Sequence, residues 1–230
     1  MLDRVTDDML LDVPAGLRQW LSSADSRKEI DNHLVHVAPG WWARHLAAHG
    51  FDNPVVDASL TRGQLFSMAD AAVATPDGAL MLLWNTLAWG EGRGARNHVR
   101  RITAIAADPD ACAALLQEAA QVSRSDTVAA YTLLRPSPYR NAMRSLGPAF
   151  FTKFLYFAGG GRADHPCCIL DDRVAAALRA AVWSGLARNG WRPQVYGRYL
   201  RLLSRWRDEC GCARTDLIER WLFDTGAAAK

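Results

Sequence analysis

The chain has 230 residues, half of them apolar, and a formal net charge of +3, enough for one or two compact units with a substantial core. Its longest apolar runs, Ala79 to Trp89 and Pro148 to Gly159, are too short to span a bilayer and are interrupted by Asn85 and Lys153. Asp3, Asp7 and Asp8 stand where a cleavable signal would need a basic start and an apolar run, and five cysteines without framework spacing argue against a disulfide scaffold, so a cytoplasmic protein without a membrane segment is expected.

In chain order the pattern predicts helices almost throughout. Met9 to Leu21 reads as the first, interrupted near Pro14; Gly40 to His49 as the second; Thr61 to Ala74 as the third, with Thr61 as its cap. Ala79 to Trp89 is a buried segment that runs into the loop Gly90-Glu91-Gly92-Arg93-Gly94. Helices follow over Asn97 to Ala107, Asp110 to Ser123 and Asp126 to Leu134, the last stopped by Pro136 and Pro138. A short helix, a tight Ser145-Leu146-Gly147 hairpin and a second helix opened by Pro148 come next. A glycine-rich connection then leads to the apolar pair Ile169-Leu170, which delivers Asp171 and Asp172 to a new helix start. Asp172 to Ala187, Pro193 to Asp208 and Thr215 to Phe223 complete the series. No β-alternation or internal repeat is visible, so the expected fold class is all-α. It divides into an acidic N-terminal region (1–60) and a core (61–230), with the hairpin at 138–158 and the aspartate loop at 159–174.

The net charge conceals a strong asymmetry. From Arg135 to Arg207 there are 13 basic residues against three acidic ones, Asp164, Asp171 and Asp172. Such an excess repels itself unless an anion neutralises it, and phosphate backbone is the usual partner. The chain holds 24 arginines but only three lysines, Lys28, Lys153 and Lys230. Arginine stays protonated and cannot act as an amine nucleophile, whereas lysine can. Lys153, set among Phe150, Phe151, Phe154 and Phe157, therefore invites either a chemical explanation or that of a lysine snorkelling from an aromatic helix face.

A helix N-terminus exposes unpaired N–H groups and a partial positive charge, so the hairpin could bind phosphate through its backbone, with Gly147 allowing close approach or positive φ. Arg140 and Arg144 would add charge there.

Leu-Gly-Pro followed at this distance by Ile-Leu-Asp-Asp-Arg-Val resembles the helix-hairpin-helix DNA glycosylases, above all their bacterial 8-oxoguanine glycosylase (OGG)-like branch. The motif match covers Ser145 to Val174, with a weaker likeness from about residue 60 onward. The resemblance implies a helical enzyme that flips a nucleotide from duplex DNA and cleaves its N-glycosidic bond. It places Asp171 on the family's helix-opening aspartate, where a carboxylate stabilises positive charge on the sugar or activates the nucleophile; Asp172 falls one residue on. The lysine of bifunctional members falls on Ala149 when counted from the hairpin and close to Lys153 when counted back from Asp171. Residues 149 and 153 lie one turn apart on one face, and a helical side chain leans toward the N-terminus. Lys153 is thus the candidate nucleophile of a glycosylase with AP-lyase activity; otherwise Asp171 activates water in a purely hydrolytic enzyme. Arg140, Arg144, Ser145, Leu146 and Gly147 are the expected DNA contacts, and Trp84, Trp89, Phe150 and Phe151 the candidate walls of a base pocket. The expected partner is double-stranded DNA, bound by a monomer without metal or cofactor, in base excision repair or in defence against phage DNA carrying modified bases. The rival reading is a non-catalytic helix-hairpin-helix module.

Two further clusters carry less. His33, His36, His45 and His49 crowd one region, with His45 and His49 at i, i+4, but no acidic or cysteine partner stands nearby and Pro39-Gly40 intervenes. Cys167-Cys168 and Cys210-Gly211-Cys212 lack the spacing of a zinc knuckle, and the iron–sulfur cysteine quartet of some members of the resembled family is missing.

Overall fold

A computed structural model describes residues 11–52, 55–94 and 97–228. Among these, the chain runs through α1 (Ala15–Leu21), a π-helical turn (Arg27–Asp31), β1 (Leu34–His36), α2 (Pro39–Ala47), β2 (Ser59–Thr61), α3 (Arg62–Phe66) and α4 (Ala69–Ala74). It continues with α5 (Pro76–Glu91), α6 (His98–Ala106), α7 (Pro109–Ser123), α8 (Thr127–Leu134), α9 (Pro148–Phe157), α10 (Asp172–Ala181), α11 (Pro193–Cys210) and α12 (Thr215–Ala228). The all-α expectation holds. The exception is a three-residue antiparallel ladder, Leu34 opposite Thr61 to His36 opposite Ser59, too short for alternation to announce it.

Local chemistry accounts for most boundaries. Thr61 caps α3 in a full capping box with Gln64, as its position suggested. The helix expected to Ala74 nevertheless breaks after Phe66, and α4 starts afresh at Ala69. α5 is longer than expected at both ends. The Thr75 hydroxyl accepts from the Gly78 amide and Pro76 opens the first turn, while Gly90 and Glu91 remain helical. Gly92, at φ +64°, ends it, so the glycine loop starts two residues later than the sequence indicated. α5 is apolar nearly all round, with Leu80, Leu82, Leu83, Trp84, Leu87 and Ala88 buried, as befits the central helix of a bundle. The start of the helix expected at Met9 lies outside the described residues, and α1 begins just past Pro14. One buried cluster links Leu17, Trp42 and Leu60 of the N-terminal region to Phe154, Leu203 and Leu222.

The greatest departure lies between α8 and α9. No helix precedes the Ser145–Gly147 turn. Pro136 and Pro138 remove two amides, and the Arg135 guanidinium organises an irregular segment instead. It donates to Asn141 Oδ1 (2.7 Å), to the Pro138 carbonyl and to the Gly190 carbonyl (3.2 Å).

α10 ends at Ala181, six residues early. Val182 leaves the helical region and Trp183 turns inward beneath the Arg198 guanidinium, 4.2 Å from its ring centroid. α12 crosses α10 at Gly226, where an added Cβ would stand 1.9 Å from the Arg173 carbonyl oxygen. Gly226→Ala must push the two helices apart and should cost about 1–3 kcal/mol. Gly185→Ala, facing open space, should stay within about 0.5 kcal/mol of the parent. Paired thermal melts decide it; equal melting temperatures would contradict the close crossing.

Candidate active site

α9 brings the lysine and α10 the carboxylate. Gly147 caps α9 in extended conformation (φ −91°); the left-handed residue of the turn is Ser145 (φ +67°). The expectation that Gly147 supplies positive φ is therefore corrected. A Cβ there would meet only Asn141 Nδ2, at 3.8 Å. Leu146 is 1 % exposed and anchors the turn in the core rather than offering a side chain to DNA. Arg140 and Arg144 are exposed, and Ser145 is half-buried with its carbonyl accepting from Arg101 Nε at 3.1 Å.

Lys153 lies on the inner side of α9 and is only 5 % exposed. Its stem runs past Gly90 of α5, where a Cβ would stand 3.2 Å from Cδ and 3.5 Å from Cε. The amine then reaches back one turn, donating to the Ala149 carbonyl at 2.9 Å and to Asp171 Oδ2 at 2.7 Å. One side chain thus spans the two positions between which the sequence left the lysine open: it belongs to residue 153, and its nitrogen bonds the carbonyl of residue 149.

Asp171, also 5 % exposed, divides its oxygens between two tasks. Oδ1 caps α10, accepting from the amides of Arg173 (3.0 Å) and Val174 (3.1 Å), while Oδ2 faces Lys153. Burial alone would raise this carboxyl. The Lys153 ammonium and the two amides outweigh it and hold Asp171 below the usual carboxylate range.

The strand-like approach to Asp171 is fastened at each residue. The Thr152 hydroxyl accepts from the Leu170 amide (3.2 Å), and the hydroxyls of Tyr196 and Tyr199 donate to the carbonyls of Cys168 (2.9 Å) and Ile169 (2.6 Å). These three residues were not singled out from sequence. The signal available was two tyrosines three apart on the apolar face of a helix, whose hydroxyls must find acceptors when buried.

Of the candidate pocket walls, Phe150 alone lies at the amine. Lys153 Nζ is 5.8 Å from its ring centroid, and the Arg101 guanidinium stacks on it at 3.8 Å. Trp84 is fully buried against Trp42 and Phe51, and Phe151 against Tyr131, so neither offers a face to a base. Trp89 is buried between His33 and Phe157. Arg101 also bonds Glu91 Oε2 (3.3 Å) and His98 Nδ1 (2.9 Å), with His98 Nε2 lying 2.9 Å from the same carboxylate oxygen. Because the guanidinium can only donate, His98 Nδ1 accepts and the ring is held neutral.

Two histidines give a pH signature. Burial and the Arg101 charge push His98 down to about 3; burial with Arg62 and Arg220 pushes His33 down to about 2. Below pH 6.5 the unfolded chain takes up protons at both rings that the folded chain refuses, so stability falls as pH drops. The slope is about 1.4 kcal/mol per pH unit for each ring. Urea unfolding at pH 7 and pH 5 should show a loss of roughly 3–4 kcal/mol. A flat profile would contradict the buried neutral rings.

Among the described residues no three metal-ligating side chains converge. His49 is held through His45 O (2.8 Å) and Thr103 Oγ1 (3.1 Å), and the five cysteines are free thiols. No helix among these residues is long and apolar enough to cross a membrane.

Helix packing, a buried lysine–aspartate pair and an aspartate opening the helix after an apolar extended segment define a helical protein with a buried ion pair as its candidate site. The model of the family described as "Putative 8-oxoguanine DNA glycosylase OGG-like protein" matches residues 28–223, and the chain belongs to that family. No curated protein and no solved structure matches it.

Proposed function

We propose that the protein is a DNA glycosylase that excises a damaged or modified base from duplex DNA, with Lys153 as nucleophile, Asp171 as its proton acceptor and AP-lyase activity following. The observation that carries this is the 2.7 Å contact between two buried side chains, Lys153 Nζ and Asp171 Oδ2, in a chain of an OGG-like family. Passing a proton along that contact turns an ion pair into a neutral amine and acid, a change that burial favours. The free amine then bonds to C1′ as the C1′–N bond breaks, and the base leaves with the electron pair and gains a proton. Ring opening gives a Schiff base, from which loss of a C2′ proton expels the 3′ phosphate. Asp171 supplies the proton gained by the departing base and is ionised again as it does so, and its charge then supports the positive charge on the sugar.

Phe150 is the stacking surface nearest the amine, and the Ser145–Gly147 turn, flanked by Arg140 and Arg144, is the phosphate anchor of this reading. A hydrolytic variant, in which Asp171 directs water and Lys153 only holds the carboxylate, is supported by the amine's second bond to Ala149. The reading takes the enzyme as a cytoplasmic monomer acting in repair or against modified phage DNA. Its test is incubation with duplexes carrying oxidised, alkylated and hypermodified bases, then alkali. Alkali-labile sites on at least one duplex are the expected result. None on any duplex, with binding retained, would leave a DNA-binding module without chemistry.

A further inference from the structure

Beside the Asp171 site a groove of about 750 Å³ runs along the outer face of α10. Asp172, the residue after the capping aspartate, forms one end. Arg179 of α10 lines its course, and Ser184, Arg188 and Asn189 of the following loop form the opposite wall. The groove holds two guanidinium groups against one carboxylate. Several buried or half-buried arginines are committed, Arg62 to Glu219, Arg101 to Glu91 and Arg214 to Asp216, whereas these two, like exposed Arg140 and Arg144, face outward. Arg179 and Arg188 have no ion-pair or hydrogen-bond partner among the described residues.

The far wall is not a loose loop. Arg135 donates from one terminal nitrogen to the Gly190 and Pro138 carbonyls and from the other to Asn141 Oδ1. The groove's loop is thereby fastened to the segment that carries exposed Arg140 and leads to Arg144. One buried guanidinium thus joins two loops that carry surface arginines.

We propose that this groove is a phosphate track for one strand of duplex DNA, held by Arg179 and Arg188. It rests on the glycosylase reading for its partner and adds a second contact, apart from the Ser145–Gly147 turn. Asp172 to Ala180 spans about 12 Å at 1.5 Å per helical residue. A DNA strand carries one charge per roughly 3.4 Å of axis, so the groove accommodates about three successive phosphates. Two arginines on three phosphates leave one phosphate, to which Asn189 of the lining can donate.

The test is the salt dependence of binding to an unmodified duplex, followed by fluorescence anisotropy. Each neutralised phosphate contributes about 0.9 to the slope of log K against log salt. Arg179→Ala/Arg188→Ala should therefore flatten the slope by about 1.8 and weaken binding at least tenfold at low salt. Arg179→Lys/Arg188→Lys, which keeps both charges, should restore the slope and so separate charge from folding. Arg27→Ala/Arg44→Ala removes the same net charge from exposed residues that line neither groove nor turn, and should leave the slope unchanged. An unchanged slope in the groove variant, or an equal change in the control, overturns the track while leaving the glycosylase reading intact. Failure of the unsubstituted protein to bind any duplex DNA, or binding to duplex RNA alone, overturns both.

Discussion

Asp171→Asn should reduce base excision by about 10³-fold while leaving DNA binding within a few-fold of the parent. Asparagine keeps an oxygen that can accept from the Arg173 and Val174 amides, so the start of α10 survives. What disappears is the negative charge 2.7 Å from Lys153 Nζ. The amine loses its proton acceptor, and the sugar cation loses its counter-charge. The ammonium keeps the Ala149 carbonyl as a partner, so the stability loss should be modest, about 1–3 kcal/mol. Single-turnover excision and anisotropy on the same protein separate the two effects. Excision at parental rate would remove Asp171 from the chemistry.

Glu219→Gln should produce the largest loss of stability, about 3–5 kcal/mol, because it strands a buried charge. Arg62 and Glu219 are both fully buried, joined at 2.8 Å and 3.4 Å, with Arg62 also donating to the Tyr156 hydroxyl at 3.1 Å. Tyr156 in turn donates to Asp216 at 2.8 Å, which Arg214 grips. Burial pushes the Glu219 carboxyl upward, and the Arg62 guanidinium opposes it. With only 5–15 kcal/mol holding a typical domain together, such a loss is easily read from a urea midpoint. The Lys153–Asp171 pair shares no hydrogen bond with this network, so excision by the folded fraction should persist at low temperature. A cost under about 1 kcal/mol would mean that the pair is not sealed from water.

Much of this was legible in the sequence because capping chemistry is local. Thr61, Asp126 and Pro148 marked helix starts that the fold keeps, and Asp171 after Ile169-Leu170 marked the start of α10. The segment before the Ser145 turn was misread as helix because its organiser, Arg135, acts through three side-chain bonds that no periodicity reports. Gly90 was read as loop; it is a helical residue whose missing side chain makes room for Lys153, a tertiary fact. The pocket walls went astray for a related reason. An aromatic residue is more often core than pocket wall, and Trp84 and Phe151 are core. Tyr196 and Tyr199 read only as the apolar face of a helix, because they act through backbone carbonyls some 30 residues away.

The most direct test of the central claim is borohydride trapping on the duplex panel, parent beside Lys153→Gln. A covalent protein–DNA adduct formed by the parent and absent from Lys153→Gln is the predicted result, and the duplex that yields it names the base. An adduct that persists in Lys153→Gln, or alkali-labile excision by the parent with no adduct, would contradict Lys153 as the nucleophile.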